Sequence, residues 1–244
     1  MSMETRVEGC RVSLLGGWGL AEHDRPVHLG LREERVMALL ALRGHQSRAA
    51  TAATLWPDSA EPQGRANLRT ALKRLRGFGT DLVTSVRNDL VLGPGVHVDV
   101  WELHDCLDTI ERGSGSNGLK PTDVLSLLRR PDLLPDWYED WVLFERERLH
   151  LRRIRALEDM GRRLLNDGDA SLAIRFAEEA LLLEPLLESG TRLLIEAHLA
   201  EGNRSSAVHT FQRYRHRLES ELGITPSRVM SELLTSRSER RAYR

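Results

Sequence analysis

The sequence contains little cysteine, few aromatic residues and no long uncharged apolar run. Two cysteines, Cys10 and Cys106, lie far apart in 244 residues and in no metal-binding spacing, which argues against a disulfide framework and a zinc site. The start, MSMETRVEGC, has no apolar signal core, and no uncharged run is long enough to cross a bilayer. We therefore expect a cytoplasmic protein without membrane contact.

Net charge is also nearly absent, but the charges are unevenly distributed. Lys and Arg total 35 against 36 Asp and Glu, so the formal net charge is -1 at pH 7. Any affinity for a polyanion must therefore come from a local patch. Such a patch occurs in EPQGRANLRTALKRLRGFG, which begins at Glu61, because the stretch from Pro62 to Thr80 contains basic residues and no acidic one.

The first third of the chain combines short strand patterns with helical patterns. Strands are predicted at residues 7–15, 27–29, 82–86 and 90–92. Helices are predicted at residues 31–42, after Ser47 up to Pro57, and over the basic stretch. The last two strands form a hairpin with Arg87 and Asn88 at its tip. This order predicts a winged helix-turn-helix domain over residues 1–98.

From Pro94 to Ser236 almost the whole sequence has amphipathic helical periodicity. The flexible sequence GSGSNG, at 113–118, lies between two helical patterns. It is interpreted as a loop within the second domain, and the alternative is that it is the interdomain linker. We predict an all-α domain over residues 99–236 and a disordered tail over 237–244, which makes the fold mainly α with a small β component.

The last hundred residues contain an internal repeat. NDGDASLAIRFAEEAL aligns with AEGNRSSAVHTFQRYR, so that Gly168 matches Gly202 and Ala173 matches Ala207 at an offset of 34 residues. This offset is the period of tetratricopeptide repeats, in which helix pairs stack on one another. The segment from Trp137 to Asn166 is then expected to supply the preceding helices. A generic helical bundle with chance periodicity is the alternative.

The basic stretch separates into two faces when it is drawn as a helix. One face carries Arg65, Arg69, Thr70, Lys73, Arg74 and Arg76, and the other carries Leu68, Ala71, Leu72, Leu75 and Phe78. Like charges four residues apart cost an isolated helix about 0.2–0.5 kcal/mol per pair. They become favourable beside phosphates, because neutralisation releases counterions. The major groove of DNA admits a helix, and Arg, Asn and Thr read base edges there. A merely solvated basic face is the alternative.

Two segments carry a resemblance to a known family. LWPDSAEPQGRANLRTALKRLR, Leu55 to Arg76, resembles the helix-loop-recognition helix of the Streptomyces antibiotic regulatory protein (SARP) family, whose DNA-binding domain is an OmpR-type winged helix. LLPDWYEDWVLFERERLHLRRIRALEDM, from Leu133, resembles the bacterial transcriptional activation domain of the same family, as do GDASLAIRFAEEALLLEP and ELGITPS. The resemblance extends from about Val7 to Leu234.

This resemblance implies a function and a set of DNA-contacting residues. In the family, the winged helix binds direct repeats at biosynthetic promoters, and the helical domain supports dimerisation and contact with RNA polymerase and its sigma factor. The matching positions are Arg65, Asn67, Arg69, Thr70, Lys73, Arg74 and Arg76 on the recognition helix, and Arg87 and Asn88 on the wing. Neither a phosphate-binding Gly-rich loop nor a receiver domain is recognised, so nucleotide binding and aspartyl phosphorylation are not expected.

The remaining side-chain patterns favour structural roles. His97, Asp99, His104 and Asp105 form no convergent metal-ligand set, and no serine lies in a nucleophile elbow. The aromatic residues Trp137, Tyr138, Trp141 and Phe144 are predicted to pack in the core, with a ligand cage as the alternative. The arginines Arg146, Arg148, Arg152, Arg153 and Arg155 alternate with glutamates and are predicted to form a solvated, salt-bridged face.

The sequence therefore predicts a sequence-specific DNA-binding activator of the SARP type, with no enzymatic activity, cofactor or metal. Its expected partners are promoter DNA, RNA polymerase holoenzyme with its sigma factor, and a second copy of the chain. The rival prediction is a tetratricopeptide interaction scaffold that does not read bases. The acid-free stretch from Pro62 to Thr80 favours the first prediction, because a scaffold does not need it.

Overall fold

The computed structural model describes residues 9–78, 81–113 and 118–234. The predicted disordered tail and residues 114–117 of GSGSNG lie outside the described residues. The chain divides into two compact units, the first made of Met1–His104 with Arg130–Arg148 and the second of Asp105–Arg129 with Leu149–Arg244. The predicted domain boundary after residue 98 stays a prediction, and the first unit extends past it.

The described residues of the first unit contain two small sheets and three complete helices. Its strands are β1 (Cys10–Ser13), β2 (Gly19–Glu22), β3 (Arg25–Pro26), β4 (Gln46–Ser47), β5 (Val83–Val86), β6 (Asp89–Leu92) and β7 (Val96–Val98). Its helices are α1 (Leu31–Arg43), α2 (Arg48–Leu55) and α3 (Glu61–Leu75). One sheet has the order β3-β2-β1-β7, with β7 parallel to β1, and the other has the antiparallel order β4-β6-β5. The predicted winged-helix order of strands, three helices and a hairpin is confirmed.

Local signals explain where these helices begin and end. The Ser47 hydroxyl accepts a hydrogen bond from the Ala50 amide at 3.1 Å and caps α2. Gly44 ends α1 with φ = 68°, a conformation that glycine adopts without strain. Leu68, Ala71 and Leu75 are buried on the inner face of α3, which packs against α1 and α2. The outer face of α3 is thereby left to solvent.

The strand predicted at residues 27–29 is wrong. The chain instead turns at His23 and Asp24, whose φ angles are 48° and 62°, and pairs Glu22 with Arg25. This two-residue turn fixes the register, so that β3 is Arg25–Pro26. Residues 27–29 therefore follow β3 and are not part of a strand.

Two later segments complete the first unit. The Asp99 carboxylate accepts hydrogen bonds from the Leu14 amide at 3.0 Å and from the Leu15 amide at 3.0 Å. Leu15 forms an isolated β-bridge with Leu133, and the Leu134 amide donates to the Leu14 carbonyl at 2.8 Å. Asp99 therefore has a structural role, which is the role that the sequence pattern favoured.

In the described residues of the second unit, all of the regular secondary structure is helical. It contains α5 (Pro121–Leu128), α7 (Ala170–Leu183), α8 (Glu188–Ala200), α9 (Arg204–Leu222) and α10 (Arg228–Glu232). Two of the three boundaries between the units fall within α4 (Asp99–Glu111) and α6 (Asp140–Asn166), and the third follows Arg129. The expected helices of the 137–166 segment are thus one helix, which begins at Asp140. The prediction of an all-α region after the winged helix is confirmed.

The two copies of the repeat have the same turn. Gly168 and Gly202 have φ angles of 89° and 80°. The next residues, Asp169 and Asn203, cap α7 and α9 by accepting hydrogen bonds from the amides of Leu172 and Ser206. The small residues Ala173 and Ala207 are both fully buried. Equivalent turns, caps and buried alanines are what a true repeat requires, and they argue against chance periodicity.

The predicted aromatic core is half correct. Trp137 stacks on Trp18 with ring centroids 6.0 Å apart and meets Trp141 edge-on at 6.3 Å. Tyr138 and Phe144, however, are 76% and 77% exposed. The prediction is wrong for these two residues. Tyr138 precedes α6, which begins at Asp140, so helical spacing does not apply to it, and Phe144 lies within α6 at an exposed position.

The predicted solvated arginine face is wrong for two of its members. Arg153 is 4% exposed and donates from Nε to the Leu128 carbonyl at 2.8 Å. Arg146 donates to the carbonyls of Leu133, Leu134 and Trp137. Arg152 does form the expected ion pairs, with Asp108 at 2.5 Å and with Glu111 at 2.7 Å. Backbone carbonyls are partners that the alternation of charges in the sequence cannot reveal.

Candidate nucleic-acid interface

The outer face of α3 presents a row of cationic and polar side chains. The predicted contact residues that are exposed on or directly after this helix are Arg65, Arg69, Thr70, Lys73, Arg74 and Arg76, and Asn67 is half-buried. The Thr70 hydroxyl donates to the Ala66 carbonyl at 3.0 Å and keeps its oxygen available as an acceptor. The Asn67 side-chain oxygen accepts from the Gln63 amide at 3.3 Å. Each predicted helix residue is therefore on or at the edge of the solvent face.

The cations of this face differ in their ion pairs. Arg65 pairs with Glu61 one turn earlier, and Arg74 Nη1 lies 3.6 Å from Glu33 Oε1. Within the described part of the chain, no ion pair involves Arg69, Lys73 or Arg76. These three side chains keep their full charge for an external anion.

Arg74 has a partner inside the protein. The Glu33 side chain is 2% exposed, and its Oε1 has no hydrogen-bond partner. A buried carboxylate requires a compensating charge, and Arg74 is the cation nearest to it in the described ion pairs. Arg74 therefore links α3 to α1, which gives it a structural role in addition to its position on the predicted interface.

Arg48 is a further cation of this surface that the sequence reading missed. It is the first residue of α2, and its Nη2 donates to the Ser85 hydroxyl of β5 at 3.0 Å. A groove is lined by Arg48, Arg65, Arg69 and Asn88, together with Ala49 and Leu68. A second groove is lined by Arg48, Arg69, Thr70, Lys73 and Arg76, together with Leu72. Arg48 and Arg69 line both grooves and connect them.

A local signal for Arg48 does exist in the sequence. A cation in the first turn of a helix faces the positive end of the helix dipole, which is unfavourable without an external anion. Arg48 lies outside the acid-free stretch, so the run of positive charge does not include it.

The wing contributes two exposed residues. Arg87 and Asn88 join β5 to β6, and Arg87 has φ = 58°. This turn pairs Val86 with Asp89 and brings the tip of the hairpin to solvent. Asn88 lines the groove with Arg69, whereas Arg87 lines neither groove. The structure thus brings Asn88 together with α3 and leaves Arg87 at the exposed tip.

Other kinds of site are not found in the described residues. Within residues 9–78, 81–113 and 118–234, no group of three or more His, Cys, Asp and Glu side chains could hold a metal ion. Over the same residues, none of the helices has the length and apolar character needed to span a membrane.

Comparison with known proteins gives two matches. Residues 126–236 match the family model of the Bacterial transcriptional activator domain. The fold matches a solved structure of Mycobacterium tuberculosis EmbR in complex with a low affinity phosphopeptide, with a TM-score of 0.67 and 20% sequence identity. The match covers 95% of this chain and 65% of EmbR, so the chain spans about two thirds of that protein's length.

No curated protein matches the sequence. The domain match is nevertheless consistent with the activation domain expected from the SARP resemblance, and the match to EmbR shows a shared fold.

Proposed function

We propose that this chain is a transcription regulator of the SARP type. In this proposal it is a sequence-specific DNA-binding activator without enzymatic activity or cofactor. The single observation that carries the DNA-binding part is a set of exposed cations on or directly after α3 that form no ion pair with the described residues, namely Arg69, Lys73 and Arg76. An activator that binds promoters acts in the bacterial cytoplasm, where the DNA is.

In the proposed complex, α3 enters the major groove. Arg69 and Thr70 face the base edges, where Arg recognises guanine and Thr bonds to several bases. Lys73, Arg76 and Arg48 neutralise phosphates on either side and fix the register of the helix. Asn67, Arg65 and the wing residues Arg87 and Asn88 extend the contact, while Arg74 also holds Glu33. Phosphate contacts supply most of the affinity, and base contacts supply the specificity.

The activator part of the proposal concerns the second unit. The family match at residues 126–236 supports contact with the transcription machinery. We propose that two copies of the chain bind direct repeats at promoters of secondary-metabolite genes and recruit RNA polymerase holoenzyme through its sigma factor. Run-off transcription with purified holoenzyme tests this step, because recruitment predicts more transcript from a template that carries the selected site.

The DNA-binding proposal is tested by selection followed by charge reversal. The full chain is used to select sites from a random duplex library, and the selected duplex is titrated with the wild type and with Arg69→Glu. We expect affinity to fall at least about tenfold, because an attraction becomes a repulsion in the groove. Arg215→Glu, an exposed change on α9, is the matched control and should leave affinity unchanged.

Circular dichroism must confirm that both variants are folded. An Arg69→Glu protein that is folded and binds with unchanged affinity would contradict the proposed interface. A selection that yields no consensus sequence would favour the scaffold that does not read bases.

A further inference from the structure

The second unit has a groove that the proposed function does not use. It is bounded by α7, α8 and α9 and has a volume of about 380 Å³. Its lining consists of Glu178, Leu181, Leu182, Pro185, Thr191, Leu194, Thr210, Arg213, Tyr214 and Arg217. Pockets that hold small ligands have volumes of about 300–1,000 Å³, so the groove suits a small molecule.

The base and one wall of this groove are apolar. Leu194 is 2% exposed at the base, whereas Leu182 on α7 is 74% exposed. The Thr191 hydroxyl donates to the Leu187 carbonyl at 3.0 Å, so its hydrogen-bonding capacity as a donor is already used within α8. A ligand that covers Leu182 and rests on Leu194 would remove apolar surface from water, which favours an apolar body.

The charged groups of the groove are segregated. Arg213 and Arg217 are both on α9, one helical turn apart, whereas the single carboxylate of the lining, Glu178, is on α7. Arg217 pairs with Glu221 at 3.4 Å. Arg213 has no ion pair in the described residues, so its guanidinium group can bind an anion at the α9 side of the groove.

We propose that this groove binds a small amphiphilic carboxylate. The apolar body lies along Leu181, Leu182 and Leu194, and the carboxylate binds Arg213. This ligand site is additional to the proposed DNA contacts and does not depend on them.

The test uses octanoate as the probe and the full chain as the protein. Isothermal titration should give saturable binding of one octanoate, and the charge-inverted octylammonium should bind at least about fivefold more weakly. Arg213→Gln should weaken octanoate binding by about fivefold, while the matched change Arg215→Gln on the opposite side of α9 should not. Leu182→Ser should weaken octanoate binding, while Leu222→Ser, another exposed leucine, should not.

Three results would overturn the proposal. The first is a titration without saturation by octanoate. The second is binding of octylammonium as tight as that of octanoate. The third is a loss of octanoate binding in Arg215→Gln as large as that in Arg213→Gln. Because the test needs no DNA, its failure leaves the proposed DNA interface intact, and loss of DNA binding in Arg69→Glu leaves this site intact.

Discussion

Helices α3 and α6 are both rich in arginine, yet they use it in opposite ways. On α3, Arg69 is exposed and has no ion pair within the described residues. On α6, Arg153 is buried against the Leu128 carbonyl, and Arg152 is held by Asp108 and Glu111. The content of arginine is therefore a poor guide to a binding surface. What distinguishes the two helices is whether the protein itself satisfies each guanidinium group.

The largest expected effect would come from removing an internally satisfied arginine. Arg153→Met should destabilise the protein by about 2–4 kcal/mol, because the Leu128 carbonyl loses its charged donor and the packed stem is replaced. Urea denaturation followed by circular dichroism measures the change. The control is Arg155→Met, an exposed position two residues away, which should alter stability by no more than about 0.5 kcal/mol. Equal losses of stability at the two positions would contradict the structural role given to the buried Arg153.

Arg74 is the intermediate case and sharpens the comparison. Arg74→Gln should cost about 1–2 kcal/mol, because it leaves the buried Glu33 carboxylate without its cation. Adding Glu33→Gln should recover much of this loss in a double-mutant cycle, since the remaining buried group is then neutral. Stability is again measured by urea denaturation. Additive effects of the two changes would mean that the ion pair has no energetic importance.

The dependence of DNA affinity on salt concentration tests whether Lys73 on α3 binds an external phosphate. If Lys73 neutralises one phosphate, Lys73→Gln should make the slope of log K against log salt less steep by about 0.9. Fluorescence anisotropy at several salt concentrations gives the slope. Lys120→Gln, at an exposed lysine of the second unit, is the matched control and should leave it unchanged. An unchanged slope for Lys73→Gln would place Lys73 outside the DNA contact.

The smallest expected change in stability concerns Tyr214, whose hydroxyl donates a hydrogen bond to Glu188 within the second unit. Burial, together with the nearby Glu188 carboxylate, raises the pKa of Tyr214 to about 12 from its ordinary value of 10.0. The unfolded chain then loses the proton first, so this contribution to stability is present below pH 10.0 and is lost as the pH rises towards about 12. Urea denaturation at pH 9 and pH 11 measures the free energy of unfolding at each pH. Its decrease between the two pH values should be smaller for Tyr214→Phe than for the wild type.

The sequence predicted the features that depend on local patterns. The faces of α3, the tip at Arg87 and the turn at Gly168 follow from helical spacing, hairpin signals and the repeat. These features depend on short stretches of sequence, so they can be predicted from the amino-acid sequence alone.

The features that the sequence did not predict depend on residues far apart in the chain. Arg48 joins the interface because α2 and β5 bring it beside α3. Arg153 is buried because α5 supplies a carbonyl to it, and no charge pattern encodes that contact. Long-range packing decides these positions, and one sequence contains no direct record of it.

The β-bridge between Leu15 and Leu133 has a consequence for folding on the ribosome. Leu133 is synthesised 118 residues after Leu15. At about 5–20 residues per second, Leu15 must wait at least about 6 s for this contact. Until then, two backbone groups have only water or a chaperone as partners: the Gly16 amide, which later donates to the Asp132 carbonyl, and the Leu14 carbonyl, which later accepts from the Leu134 amide. Slower translation of the segment between the two residues would prolong this interval and so favour misfolding of the nascent chain.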